Sequence, residues 1–469
     1  MATPTVESGI RGFRGELLRP GDPSYDDARR VFNGMVDRSP ALIARCTGTD
    51  DVVAAVGHAR DTGLPLAVHG GGHGVVGHAV CDGGLMLDLR PMNRVQVQVS
   101  DRSVRAEGGA TWGQFDAATQ EHGLAVTGGR VSSTGVGGLA LGSGSGWLER
   151  TLGYTCDSLI GAQVVTAAGQ VLEVGPEQEP DLFWALRGGG GNFGVVTRFD
   201  FRASPMGPVL LGGMVMHPHE AAVDVVRHYR DFMAQAPDEV NGAAAFISAP
   251  PEPFVPEPVR GRPVLGLVVV YAGDVAQGQE VLRPLLDHGS PIVTMVQPMP
   301  YTAIQQMLDL ACPRGMRNWW TADFLRELPD DGIEAIAERT GRVPSPMTQV
   351  ILAPGGGALA RVPREATAFD LRDAPWNIHF LSMWPDPADD ERNIAWTREL
   401  AASVKPYAAA GAYLNFLGDE GADRVRAAFG PDKYDRLVAL KDRYDPDNLF
   451  CLNQNIAPSG RPPGPRAGS

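Results

Sequence analysis

Apolar residues recur along this chain in two rhythms, and the change between them divides it. Alternating apolar and polar positions mark strands at Arg94–Val99 and Ser103–Ala106, joined at Ser100-Asp101-Arg102. The same pattern marks Leu159–Thr166 and Val171–Val174, a hairpin turning at Ala168-Gly169. Short continuous apolar runs at Ala41–Cys46, Leu64–Val68 and Leu85–Leu89 read as buried strands. Helical spacing occurs at Tyr25–Phe32, at Val52–Thr62 behind a capping Thr49 or Asp50, and at Trp112–His122 behind a capping Thr111. A short helix at Asp181–Arg187 leads to a strand at Val195–Phe201. After Pro205, strands alternate with amphipathic helices. The strands are Val209–Met216, Ala243–Ser248, Leu265–Tyr271, Pro291–Gln297, Thr321–Leu325, Gln349–Leu352 and Ile378–Met383. The helices are Glu220–Gln235, Ala276–Asp287 and Ile333–Arg339. This order predicts a sheet covered on one face by helices. The expected divisions are residues 1–204, 205–413, a segment 414–458 returning to the first, and a disordered tail 459–469.

Composition narrows the partners. With 469 residues, 43% hydrophobic and 20% charged, the chain is ordinary for two or three globular domains. A net charge of −14 argues against nucleic acid and acidic membrane surfaces, which require concentrated Lys and Arg. The N-terminus has no apolar h-region, and no run reaches the ~18 apolar residues of a membrane helix. Five cysteines, never spaced C-x-x-C, suit reduced thiols in a cytoplasm better than a disulfide framework. A monomer or homodimer is expected.

The chemistry concentrates in a loop after Leu64–Val68, where Gly70, Gly71, Gly72, Gly74 and Gly77 surround His73, flanked by His69 and His78. Successive N–H groups in such a turn make a concave nest for a pyrophosphate. Gly72 to Gly77 matches G-x-G-x-x-G, but a dinucleotide fold needs a helix opening at the loop, and Gly83-Gly84 and a strand follow instead. A metal site at His69, His73 and His78 lacks further ligands, and the glycines forbid the helix that the spacing would suit. An incidental glycine-rich turn remains as good a reading of these residues alone.

A second stretch, Thr127 to Trp147, holds eight glycines in twenty-one residues, too many for an ordinary packed helix. The interleaved Val136, Leu139, Leu141 and Trp147 also distinguish it from a flexible linker. A third, Arg187 to Gly194, is again G-x-G-x-x-G without a following helix.

Together with Cys81-Asp-Gly-Gly-Leu-Met-Leu-Asp-Leu-Arg-Pro-Met-Asn93 and the ending Asn453-Gln-Asn-Ile-Ala-Pro458, these motifs resemble the FAD-linked oxidases of the vanillyl-alcohol-oxidase (PCMH-type) superfamily. The resemblance is nearly end to end and strongest to the berberine-bridge-enzyme-like branch and its bacterial members. It implies an α+β fold: a PCMH-type FAD-binding domain of two α/β lobes, plus a substrate domain whose antiparallel sheet, covered by helices, roofs the flavin. It implies FAD bonded through His73 to the flavin 8α-methyl carbon. The rest of the histidine loop (His69, Gly70, Gly71, Gly72, Gly74, Gly77, His78) and Val131, Ser132, Thr134, Gly135, Gly137, Gly138 and Gly142 would contact the cofactor. Gly194 and Val196 would lie near the adenine, and Asn453 or Asn455 near the flavin ring.

Departures sharpen the expectation. Val131 stands where many relatives have a cysteine bonded to flavin C6, so a single covalent link is expected. Thr134 occupies the gatekeeper position beside the C4a–N5 edge and resembles oxygen-reactive members. Tyr413 in Tyr-x-Asn is the candidate base, with Asn415 orienting it, although a half-buried sheet tyrosine reads nearly as well. Leu152 replaces a second family tyrosine, with Tyr154 two positions on, and Ile351 replaces a substrate-side glutamate. Trp319, Trp320, Phe246 and Met383 are candidates for an apolar pocket and equally for plain core. The resemblance implies an oxidase or oxygenase acting on a hydrophobic oxygenated small molecule with O2 as acceptor, in secondary metabolism. A dehydrogenase using another acceptor and a non-catalytic flavin binder are the alternatives.

Overall fold

The computed structural model describes residues 9–409 and 411–461. Residues 462–469, most of the expected tail, lie outside the described residues, whereas residues 459–461 are described and exposed. There the Ser459 amide donates to Asp442 Oδ1 at 2.7 Å and Arg461 pairs with Asp447 at 2.6 Å.

Strands β1 (Glu16–Leu18), β2 (Leu42–Arg45), β3 (Leu66–His69) and β4 (Leu85–Asp88) form a sheet in the order β1-β2-β4-β3, with β2, β4 and β3 parallel. Helix Thr49–Thr62 covers it, burying Val52, Ala55, Val56 and Ala59 against Leu42, Ala44, Leu85 and Leu87. Its N-cap is Gly48, so neither Thr49 nor Asp50 caps it. Asp51 holds this end instead, accepting from the amides of Thr47 (2.9 Å) and Arg14 (2.7 Å). Thr49 turns away to donate to Gln163 Oε1 at 2.8 Å.

A second sheet contains β5 (Val95–Gln98) and β6 (Ser103–Glu107), followed in the chain by the short β7 (Leu124–Ala125), which lies outside it. Then come β8 (Leu159–Val165), β9 (Val171–Val174) and β10 (Val195–Arg202), giving the antiparallel order β5-β6-β10-β8-β9. Thr111 does cap helix Trp112–Gln120, within a reciprocal capping box completed by Gln114. The chain leaves this half through β11 (Ser204–Pro205), paired with β7.

The third sheet consists of β12 (Val209–Pro218), β13 (Val240–Ser248), β14 (Pro263–Tyr271), β15 (Val293–Pro300), β16 (Arg317–Leu325), β17 (Gln349–Pro354) and β18 (Trp376–Trp384). Its order is β15-β12-β14-β13-β17-β18-β16, and every neighbouring pair is antiparallel. Helices Ala222–Met233, Val275–Leu286, Asp330–Thr340 and Asp390–Val404 pack on one face, burying Val226, Tyr229, Leu282, Ile336 and Leu400 against Phe246, Leu267, Val350 and Phe380. The other face looks toward the first two sheets. Period-two alternation therefore assigns side chains of each central strand to helices or to this inner side.

C-terminal helices Ala422–Phe429 and Pro431–Tyr444 share one apolar core with β6, β8 and β10. Lys441 is fully buried there, paired with Asp445 at 2.7 Å and donating to the carbonyls of Asn192 (2.8 Å) and Phe450 (2.9 Å). No helix among the described residues is long and apolar enough to cross a membrane, and all five cysteines are free.

Candidate active site

Between the inner face of the third sheet and the glycine segments lies a cavity of about 880 Å³. No helix occurs between β3 and β4, so the loop spanning 70–84 is free to fold as a backbone cradle. Gly71 and Gly135 meet backbone to backbone. A Cβ on Gly71 would stand 2.2 Å from the Gly135 nitrogen, and one on Gly135 would stand 2.4 Å from that of Gly71. Only glycine permits this closure, which joins the histidine loop to the second glycine stretch. That stretch contains a helix after all, Val136–Leu141. It lasts six residues because the flanking glycines meet other chain segments, not packed side chains of its own.

His73 lines the cavity, stacked on Phe32 at 4.5 Å, with Nε2 2.8 Å from the Ser133 hydroxyl. Burial, then the nearby Arg314, pushes its pKa down to about 3, so the imidazole is neutral. Arg314 donates to the Gly71 carbonyl at 2.8 Å, bracing the loop. Gly70, Gly71, Gly72, Gly74 and His78 also line the cavity, as do Val131, Thr134, Gly135, Gly137 and Gly138. Gly194, Val196 and Asn453 line it too. Asn453 Nδ2 donates to the Gly191 carbonyl at 3.0 Å, leaving Oδ1 buried and unpartnered, as is Nδ1 of His78. A cradle without Cβ atoms and with spare buried polar atoms fits an elongated dinucleotide such as FAD.

Five expected contacts lie off the cavity lining. His69 is fully buried beneath the loop, its ring against Gly72 where a Cβ would stand 2.6 Å from Nε2. Gly77 packs on Val36, and Gly142 on Asn415. Ser132 is turned to Asp309, which accepts from its amide at 2.8 Å and from its hydroxyl at 2.5 Å. Asn455 is half-buried off the lining, with both side-chain polar atoms buried and unpartnered. In each case a residue supports the wall instead of forming it.

Opposite the cradle, Tyr413 lines the cavity and is almost wholly buried. Its hydroxyl accepts from the Ser145 amide at 2.8 Å and from Asn415 Nδ2 at 3.3 Å. These donors favour a phenolate, but burial outweighs them and pushes the phenol up to about 12. Tyr154 lies outside the lining, packed on Phe369 and Phe324, so the two tyrosines do not form a pair over one cavity. Of the apolar candidates only Trp320 lines it. Trp319 lies outside the lining, Phe246 packs into the helix-side core, and Met383 is buried elsewhere.

The structure adds residues that sequence reasoning missed. Arg130 lines the cavity over the Trp147 ring at 5.0 Å, pairs with Glu149 at 2.9 Å and donates to the Ser145 hydroxyl at 2.8 Å. Glu149 also accepts from that hydroxyl, completing a network that ends at the Tyr413 phenol. His379 lines the cavity beside Phe416 and Tyr413. Only Arg130, inside a glycine stretch otherwise free of charge, gave a signal in the sequence.

Comparison with known proteins agrees with this geometry. Residues 40–175 match an FAD binding domain, and residues 412–457 match the berberine and berberine-like segment. An FAD-linked oxidoreductase of Dictyostelium discoideum is 31% identical, over 97% of this chain and 98% of its own length. (R)-6-hydroxynicotine oxidase of Paenarthrobacter nicotinovorans is 28% identical, over 96% of this chain and 98% of its own. The crystal structure of 6-hydroxy-D-nicotine oxidase from Arthrobacter nicotinovorans superposes with a TM-score of 0.84 at 27% identity, covering 95% of this chain and 98% of that one. Carbohydrate oxidase from Microdochium nivale shares the fold, with a TM-score of 0.84 at 22% identity over 95% and 97% of the two chains. The cradle, the sheet facing it and the returning C-terminal segment thus have one explanation: the chain belongs to the berberine-bridge-like family of FAD-linked oxidoreductases.

Proposed function

We propose that this protein is an FAD-dependent oxidase or oxygenase holding its flavin through one 8α-histidyl bond at His73. Its substrate is a hydrophobic, oxygenated small molecule, its electron acceptor O2, and its setting secondary metabolism in the cytoplasm. One observation carries the reading: a single cavity is bounded by His73, Val131 and Thr134 on one side and by Tyr413 and an apolar sheet face on the other. A neutral, half-buried His73 suits attachment, since a protonated imidazole has no free lone pair. Val131 offers no thiol for a second link. The bound flavin would supply hydride acceptance and reaction with O2. Tyr413 and Asn415 would then position substrate against it, and the Arg130–Glu149–Ser145 network would fix the phenol.

Acid precipitation of the purified protein should leave flavin in the pellet, and His73→Ala should release it to the supernatant. A colourless wild-type pellet would refute the covalent link. Rapid air reoxidation with peroxide release supports the oxidase. Slow reoxidation would favour a dehydrogenase.

A further inference from the structure

The strand residues that line the cavity are mostly small or apolar: Ala243 and Ala245 of β13, Ile351 of β17, Leu381 of β18 and Trp320 of β16. Among the described strand residues lining it, His379 is the one ionisable group. It sits on β18 between Ile351 and Ala322, its partners on the flanking strands. The ring meets Phe416 edge-on at 4.5 Å and lies parallel to Tyr413 at 6.1 Å. Its Nε2 is buried and unpartnered. A buried polar nitrogen is rarely left without a partner, and neutral imidazole offers one donor and one acceptor. Burial, then the nearby Arg130, keeps this ring uncharged.

We propose that His379 anchors the substrate, a ring nitrogen hydrogen-bonding a hydroxyl on an otherwise apolar, ring-bearing molecule whose remainder lies on the Ala243, Ala245 and Ile351 surface. The proposal rests on the oxidase reading and deepens it. It names the recognised group as a hydroxyl on an apolar ring system, in contrast to a sugar, whose many hydroxyls would meet few partners on the Ala243, Ala245 and Ile351 surface. His379 is a binding residue here, and hydride transfer itself is not assigned to it.

The test uses the flavin-containing protein and two probes, 2-naphthol and naphthalene, titrated calorimetrically. Wild type should bind 2-naphthol about tenfold more tightly than naphthalene, the worth of one buried hydrogen bond. His379→Phe should abolish that preference while leaving naphthalene affinity unchanged, and His379→Gln should retain most of it. Equal affinities in wild type, a preference that survives in His379→Phe, or no binding of either probe would overturn the assignment. Flavin content, measured separately by absorbance, reports on the oxidase reading, so failure of one is distinguishable from failure of the other.

Discussion

Ser133 governs how His73 presents its ring. With Nε2 2.8 Å from the Ser133 hydroxyl, Nδ1 is the nitrogen left to bond a cofactor, and the stacked Phe32 fixes the plane. Ser133→Ala should therefore leave FAD bound but slow its covalent attachment about tenfold, the effect of losing one hydrogen bond. The acid-insoluble flavin fraction, followed over time in protein reconstituted with FAD, measures this. A rate equal to wild type would make Ser133 a bystander. His73 was legible because glycines surround it. Ser133 was not, because its contact joins positions 60 residues apart. His379 was hidden for a related reason: every residue of β18 is buried, so no alternation marks the cavity side.

At the scale of elements, the C-terminal ending is held by charge inside an apolar core. Lys441 and Asp445 are both fully buried, and Asp445 also accepts from the amides of Leu449 (2.8 Å) and Phe450 (2.9 Å). Asp445→Ala strands a buried ammonium and should cost ~3–5 kcal/mol. Lys441→Met with Asp445→Leu should cost less, because no unpaired charge remains. Denaturant unfolding of the three proteins checks the order. Strands and amphipathic helices of the third sheet were legible from their periodicity, with ends shifted by a few residues. Helix Asp390–Val404 was missed because Asn393 and Thr397 occupy buried positions and blur its apolar stripe. Thr397 satisfies itself by donating to the Asn393 carbonyl at 2.7 Å, and its hydroxyl also bonds that of Ser382. The cap of Thr49–Thr62 was misread because Asp51 is recruited by Arg14, a residue remote in sequence.

For the whole molecule, two buried groups set opposite limits on stability with pH. Burial pushes His69 down to about 3, from an ordinary 6.5. Between these values the unfolded chain binds a proton that the folded chain refuses. The His69 contribution is therefore full above pH 6.5 and is lost as pH falls, by about 2 kcal/mol at pH 5. Asp116 is pushed the other way by burial, up to about 7, with one hydrogen bond from Gln305 at 2.8 Å. Its folded form holds a proton that the unfolded chain releases above pH 3.8, so its contribution fades as pH rises toward 7. Asp116→Asn should accordingly stabilise the protein at pH 8 by roughly 2–4 kcal/mol and do little at pH 4. Melting temperatures of both proteins across pH 4–9 measure this, and parallel curves would refute it.

The sequence by itself determined most of the strands and helices, the glycine cradles and the histidine among them, because periodicity and glycine density act over a few neighbouring residues. Tertiary structure alone decided which glycines line the cavity and which pack beneath it. It also placed Tyr413 above the cradle with Tyr154 away from it, and brought Arg130 and His379 to the cavity wall. Those outcomes depend on which sheet face meets which loop across hundreds of residues, and local pattern carries no record of that.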